Sequence, residues 1–360
     1  MAPGRRITIR EVAAEAGVSA QTVSRVLNGR PDVAPETVDR VRQIIADTGY
    51  QPNMLARSLT QGRSRVLGVV AYGQDYFGPA HVLTAIERRA AQAGYAIMLN
   101  YKLTPDSDDV DHLLSTLGAR QVDGIIWAIP EVDDNRASLG SRAASVTVPM
   151  ILVGGMAGRP FLHCIGVDNV AIGRQATEHM LAGGTRRFGL ITGPKNWWEA
   201  QQREQGWRQT LQAHGREVDE RIVVEGDWTV ASGAAALYRM VEACPDIDAV
   251  FASNDQMALG VMHAAHQLGR RVPDDLAVVG VDDLAEASHF WPPLTTVRQP
   301  IDDAGEMAVA EILELIGTGR QGRHRSHAAV EAVPQMNLLE PTLIVRESSR
   351  TPVASSVAGL

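Results

Sequence analysis

Arginine is the side chain with which this chain could hold a phosphate or a guanine edge, because a planar guanidinium presents paired donors that match either set of acceptors. Residues 1–63 hold nine arginines, no lysine and six acids, a net of +3, while the remainder carries 25 basic and 36 acidic groups, a net of −11. The overall charge of −8 therefore conceals one basic segment on an acidic body. Other chemistries find little support. The sequence contains no G-x-x-x-x-G-K-[ST], no H-E-x-x-H and no G-x-S-x-G, which disfavours an enzyme. His263 and His266 stand three apart on an expected helix, but no third ligand accompanies them, so an exposed face is expected and a metal is not. Cys164 and Cys244 are too few and too isolated for a disulfide framework and read as buried free thiols.

The elements that must present the basic groups are short. Thr8 and Glu11 stand at the spacing of a capping box, so a first helix begins near Ile9; Gly17 ends it, and Ser19 caps a second. Val12, Ala13, Ala16, Val18, Val23 and Val26 form an apolar face, which leaves Ala20, Gln21, Ser24 and Arg25 pointing outward. Two helices joined by a turn of about three residues make a helix-turn-helix. Pro35 opens a third helix whose Val38, Val41, Ile44 and Ile45 close a small core, with Ala34 a poor cap at its start. Residues 53–59 suit a helix too short to be stable alone, and 60–64 form a polar linker.

The 360 residues, 45% hydrophobic and 21% charged, suffice for two or three packed units. No apolar run spans a bilayer and no export signal precedes the basic segment, so a cytoplasmic protein with no membrane partner is expected. From Val66 apolar runs alternate with amphipathic segments. Strands are predicted at 66–71, 96–99, 124–127, 150–153 and 164–167, then at 188–192, 222–224, 249–253 and 276–281, with helices between. Such alternation implies parallel sheets covered by helices on both faces, in two lobes with a ligand cleft near the strand carboxyl ends. Leu294–Val297 and a helix at 304–316 are expected to cross back to the first lobe, and 342–345 to form a last strand. The predicted boundaries are a head at 1–50, a hinge and linker at 51–64, and a core at 65–346. Within the core the first lobe takes 65–167 plus 299–326 and the second 168–295 plus 335–346, leaving 347–360 as a disordered tail without heptads.

Taken together, these residues resemble the lactose repressor (LacI/GalR) family of bacterial transcription factors. The likeness covers nearly the whole chain. It is carried by Thr8–Asn28, by Tyr50-Gln51-Pro52-Asn53 with Ala56 and Leu59, by Asn254-Asp255-Gln256-Met257-Ala258-Leu259-Gly260, by Val279-Gly280-Val281-Asp282-Asp283, and by Pro292-Pro293-Leu294-Thr295-Thr296-Val297. The resemblance implies an all-α helix-turn-helix head that binds half of a palindromic operator in double-stranded DNA. It also implies a hinge helix and a two-lobed α/β core, like periplasmic binding proteins, that dimerises and binds a small effector. It places Ala20 and Gln21 at major-groove base edges with Arg25 beside them: Gln21 suits adenine and Arg25 guanine. Thr8, Ser19, Thr22, Ser24 and Asn28 suit phosphate contacts. Leu59 matches a hinge leucine wedged into the minor groove, and Asn53 and Ala56 belong to the same hinge, Ala56 leaving room for two hinge helices to meet.

The same resemblance puts Phe77, Glu199, Arg203, Trp228, Asn254, Asp282 and Gln299 around the cleft, Trp228 to stack on a sugar ring and the polar groups to hold hydroxyls. Other readings stand beside these. Asn254 and Asp255 equally begin a helix as its caps, Asp282-Asp283 equally end a strand in a turn, and Trp228 alone reads as core. Lys195-Asn196-Trp197-Trp198-Glu199 and Gly154-Gly155 depart from the lactose repressor, which has small polar residues in the first loop and an acid at the second position. With Tyr76, Phe77, Trp127, Trp197 and Trp228, the preferred effector is a sugar or glycoside, with no cofactor. A corepressor-dependent, purine-type regulator is the alternative, and a solute-binding protein a more distant one.

Overall fold

A computed structural model describes residues 7–51, 63–105, 109–133, 135, 139, 142, 146–155, 163–322 and 336–350. They divide into two compact units that meet at Ser64 and Arg65 in the sequence.

The first unit is helical: α1 (Ile9–Glu15), α2 (Ala20–Leu27) and α3 (Pro35–Thr48). Its capping box is complete, with Glu11 N–H donating to Thr8 Oγ1 at 3.4 Å and Thr8 N–H donating to Glu11 Oε2 at 2.7 Å. Ser19 Oγ accepts from the Thr22 amide at 3.1 Å, whereas Ala34 gives α3 no side-chain cap. Val12, Ala13, Ala16, Val23, Val26, Val41 and Tyr50 form the buried core, and Val18, Val38, Ile44 and Ile45 pack around it half-buried.

The second unit holds two six-stranded sheets. In the first lobe, β1 (Val66–Ala71), β2 (Ala96–Tyr101), β3 (Gly124–Ala128), β4 (Met150–Val153) and β5 (His163–Val167) are all parallel, with α4 (Phe77–Gln92) and α5 (Val110–Ala119) in the crossovers. The second lobe alternates α6 (Asn169–Ala182), β6 (Phe188–Thr192), α7 (Trp198–Ala213), β7 (Val223–Glu225), α8 (Val230–Ala243), β8 (Ala249–Ala252), α9 (Asp255–Gln267), β9 (Ala277–Val281) and β10 (Thr295–Arg298). The chain returns to the first lobe as α10 (Ile301–Gly322), adds β11 (Met336–Leu339) to its sheet, and ends in β12 (Thr342–Ile344) of the second. The orders are β11-β5-β4-β3-β1-β2 and β12-β10-β9-β8-β6-β7, parallel except for β10 against β12. Both inner strand sets are buried on both faces, which is why they read as continuous apolar runs.

Three expectations are corrected. Leu294–Val297 does not return to the first lobe; its strand pairs with β9 in the second sheet, and only the helix after it packs on the first lobe, where Ala304, Ala308, Val309 and Ile312 join the core. Residues 335–346 are not wholly second-lobe, because Met336–Leu339 pairs with β5 before the chain crosses. The segment 347–350 is packed: Ser348 and Ser349 are buried, with Ser348 Oγ donating to Val278 O and accepting from Thr295 N–H, and Ser349 bonding to Thr295 Oγ1. Residues 351–360 lie outside the described set.

In the second lobe α6 crosses α7, and α8 crosses α9, at facing glycines. A Cβ on Gly173 would strike Arg203 O, and one on Gly206 would strike Val170 O; Gly233 against Met257 and Gly260 against Val230 repeat the arrangement. Backbones approach that closely only where no side chain intervenes. Since α7 carries Glu199 and Arg203 on its first two turns, the first crossing also fixes where those side chains start.

Candidate functional site

In the helical unit, Gln21 and Arg25 stand exposed on α2, while Ala20 and Ser24 are half-buried; Ala20 packs partly against the head core and does not point fully outward. Arg25 Nη1 lies 3.3 Å from Asp32 in the following loop, an ion pair that no helical spacing marks in the sequence. The residues expected to meet phosphates already serve local structure. Thr8 and Ser19 are caps, Ser19 and Thr22 hydroxyls lie 2.9 Å apart, and Asn28 Nδ2 donates to Ser24 O at 2.7 Å. A hydroxyl has capacity for more than one partner, so capping and phosphate contact are compatible. Asn53, Ala56 and Leu59 fall outside the described residues.

In the α/β unit all seven residues expected at the cleft, Phe77, Glu199, Arg203, Trp228, Asn254, Asp282 and Gln299, line one cavity of about 470 Å³ between the lobes. Their placement follows from the topology. Trp228, Asn254, Asp282 and Gln299 come shortly after β7, β8, β9 and β10, the carboxyl edge at which parallel sheets offer side chains and free backbone groups to a ligand. Glu199 and Arg203 are four apart on α7, hence on one face. Phe77 opens α4 from the first lobe.

Arg203 is 5% exposed. Its Nε donates to Asn169 Oδ1 at 2.8 Å and its Nη1 to Ser253 O at 2.5 Å, and its guanidinium carbon lies 5.7 Å from the Trp228 ring centre. Burial pulls its pKa down, opposed by Asp282, Glu199 and Asp255. The Asp282 carboxyl is pushed up to about 6 by burial, against the pull of Arg203 and of Gln299, whose Nε2 donates to Asp282 Oδ1 at 2.5 Å. Asp255, fully buried, is raised well above the ordinary carboxylate range by burial and by Asp282. It accepts from Thr296 Oγ1 at 2.6 Å and the Leu284 amide at 2.9 Å.

The competing readings of these acids and amides resolve individually. Asn254 both caps α9, accepting from Met257 N–H at 2.8 Å, and lines the cavity; its Nδ2 donates to Trp228 O at 3.0 Å. Asp282 and Asp283 both have positive φ, a turn, yet only Asp282 lines the cavity. Asp283 is held by Arg298 and Arg346, each at 2.6 Å. The aromatic wall is Tyr76, Trp197 and Trp228, edge to face at 5.1 and 5.8 Å between ring centres. Trp127, expected with them, is instead 2% exposed inside the first-lobe core on β3. Both cysteines are buried free thiols, and His263 and His266 lie on an exposed face.

Comparison with known proteins agrees with this division. Residues 8–53 match the family of bacterial regulatory proteins of the lacI family, and residues 177–349 match a periplasmic binding protein-like domain. The HTH-type transcriptional regulator CelR of Thermobifida fusca is 34% identical over 356 residues, covering 96% of this chain and 98% of that protein. The lac repressor dimer bound to operator and the anti-inducer ONPF superposes with a TM-score of 0.83 at 29% identity, over 96% of this chain and all of that one. A transcriptional regulator CelR–cellobiose complex gives 0.68 at 32% identity, again over 96% and 100%. A capped helix-turn-helix, a two-lobed core and near-complete coverage of these relatives make this chain a DNA-binding transcriptional regulator of the LacI family.

Proposed function

We propose that this regulator is a homodimeric repressor which is released from a palindromic operator when a small sugar or glycoside, of about disaccharide size, enters the cavity between the lobes. The observation that carries the ligand class is the division of the cavity wall. Arg203, Asn254, Asp282 and Gln299 give a polar side suited to several hydroxyls, while Tyr76, Phe77, Trp197 and Trp228 give an aromatic side suited to the apolar face of a pyranose. Its volume lies within the range of small-ligand sites, and the cellobiose complex of the related CelR supports the same class. On this reading Gln21 and Arg25 read base edges, residues 53–59 form the hinge, and Leu59 wedges the operator centre. The effector acts through its differential affinity for the DNA-bound and free states.

The test is operator binding by fluorescence anisotropy with cellobiose, lactose, an o-nitrophenyl glycoside and hypoxanthine added in turn. Release by a saccharide supports the proposal. Tightening of the complex by hypoxanthine would replace it with the corepressor reading.

A further inference from the structure

Two departures from the lactose repressor noted separately in the sequence, the Lys195–Glu199 loop and Gly154-Gly155, meet in space. The indole of Trp198, from the second lobe, lies on Gly155 of the first so closely that a Cβ there would fall within the ring. Beside it the loops after β3 and β6 form a small antiparallel bridge, Val132 against Trp197. Asp133 N–H donates to Asn196 O at 2.8 Å, Trp198 N–H donates to Glu131 O at 3.0 Å, and Asn196 Nδ2 donates to Asp133 Oδ2 at 3.1 Å. The Tyr76 ring of the first lobe stands edge-on to Trp197. Every one of these contacts joins one lobe to the other.

The sheet orders say where this junction sits. The chain passes between lobes after β5, after β10 and after β11, and in the second sheet β10 and β12 occupy one edge while β6 lies beside the opposite edge. In the second sheet the junction at β6 therefore lies toward the edge away from β10 and β12, the strands by which the chain leaves that lobe and returns to it. Pro130, Gly154, Gly155 and Trp197 line the cavity at this place, so the fastening is also its wall.

We infer that the 194–198 loop is an interlobe clasp: it holds the lobes together without ligand, and a ligand enters the cavity only when the Trp197–Val132 bridge and the Trp198–Gly155 contact part. Glycine at 155 is then a requirement of the clasp. The inference rests on the contacts themselves; only its effect on ligand entry rests on the sugar reading.

Amide exchange of the full-length, ligand-free protein, read by mass spectrometry, tests it. The Asp133 amide is protected in the parent protein. In Gly155→Ala and in Trp198→Ala its exchange speeds up about tenfold or more, while Gly226 N–H, bonded within the second lobe to Thr192 O at 2.9 Å, keeps its rate and reports intact folding. Asn196→Ala, which crowds nothing, gives a smaller change of the same sign. An unprotected Asp133 amide in the parent protein, or one whose rate the first two variants leave unchanged, overturns the clasp. Stopped-flow binding with cellobiose as probe adds a second reading: faster association in both variants supports gating, and unchanged association rates refute it. If cellobiose binds no variant and not the parent, the sugar proposal loses support, and the exchange result still decides the clasp.

Discussion

Replacing Asp282 by asparagine separates what the cavity needs for ligand from what the fold needs for itself. The carboxyl is 8% exposed and pushed to about 6, against 3.8 in water, even though Arg203 and Gln299 already favour its charge. Holding it ionised above that range costs the folded state about 3 kcal/mol. Because the folded pKa is raised, the sign is fixed: the folded state binds more protons, and its stability is full below 3.8 and falls as pH rises through about 6. Asparagine resembles the neutral acid and keeps an oxygen for Gln299 Nε2. Removing the charge also relieves Asp255, which Asp282 raises, and so acts in the same direction. Asp282→Asn should therefore match the parent near pH 4 and exceed it by up to about 3 kcal/mol at pH 7.5, measured as the difference in urea unfolding of the core between the two proteins at each pH. If the proposed sugar effector bonds to Asp282, the same variant should lose its response to that effector while still binding operator. A variant less stable than the parent at pH 7.5, or a difference that does not change with pH, would refute the reasoning.

Leu59→Ala should weaken operator binding with effector affinity retained, and equal operator affinity in a gel-shift titration would remove the hinge proposal. Arg25→Lys loses the paired donors that a guanine edge accepts, so discrimination at one operator position should fall by about 1–3 kcal/mol while salt dependence is kept, as measured with single-base operator variants. Gly206→Ala drives a methyl into Val170 O where α6 crosses α7; it should cost about 1–3 kcal/mol of core stability and displace Arg203, lowering effector affinity in calorimetry.

Local patterns were legible. Thr8, Glu11, Gly17 and Ser19 marked the head helices because caps depend on residues three or four apart. The buried strands stood out because strands covered on both faces are apolar throughout. The cleft residues came from resemblance, and the sheet edge explains why they cluster. What failed was information carried over long separations. Nothing local in Met336–Leu339 tells that β5 is its partner rather than β10, and nothing in Trp127 distinguishes a core indole from a cleft one. The Trp198–Gly155 contact was hidden for the same reason, although both residues had been noticed as departures.

The last described residues bear on how the protein is made. Residues 336–350 supply an edge strand to each sheet and bury Ser348 and Ser349 against β9 and β10. Both lobes thus wait on the same stretch of chain: during synthesis neither sheet can be completed until residues 336–344 have been made. The head has a core of its own within residues 12–50 and lies ahead of every strand of either sheet in the chain, so it can form first. A premature stop near residue 335 would leave two unfinished sheets with exposed edges behind an intact reading head, a product inclined to aggregate and not one that binds operator without regulation.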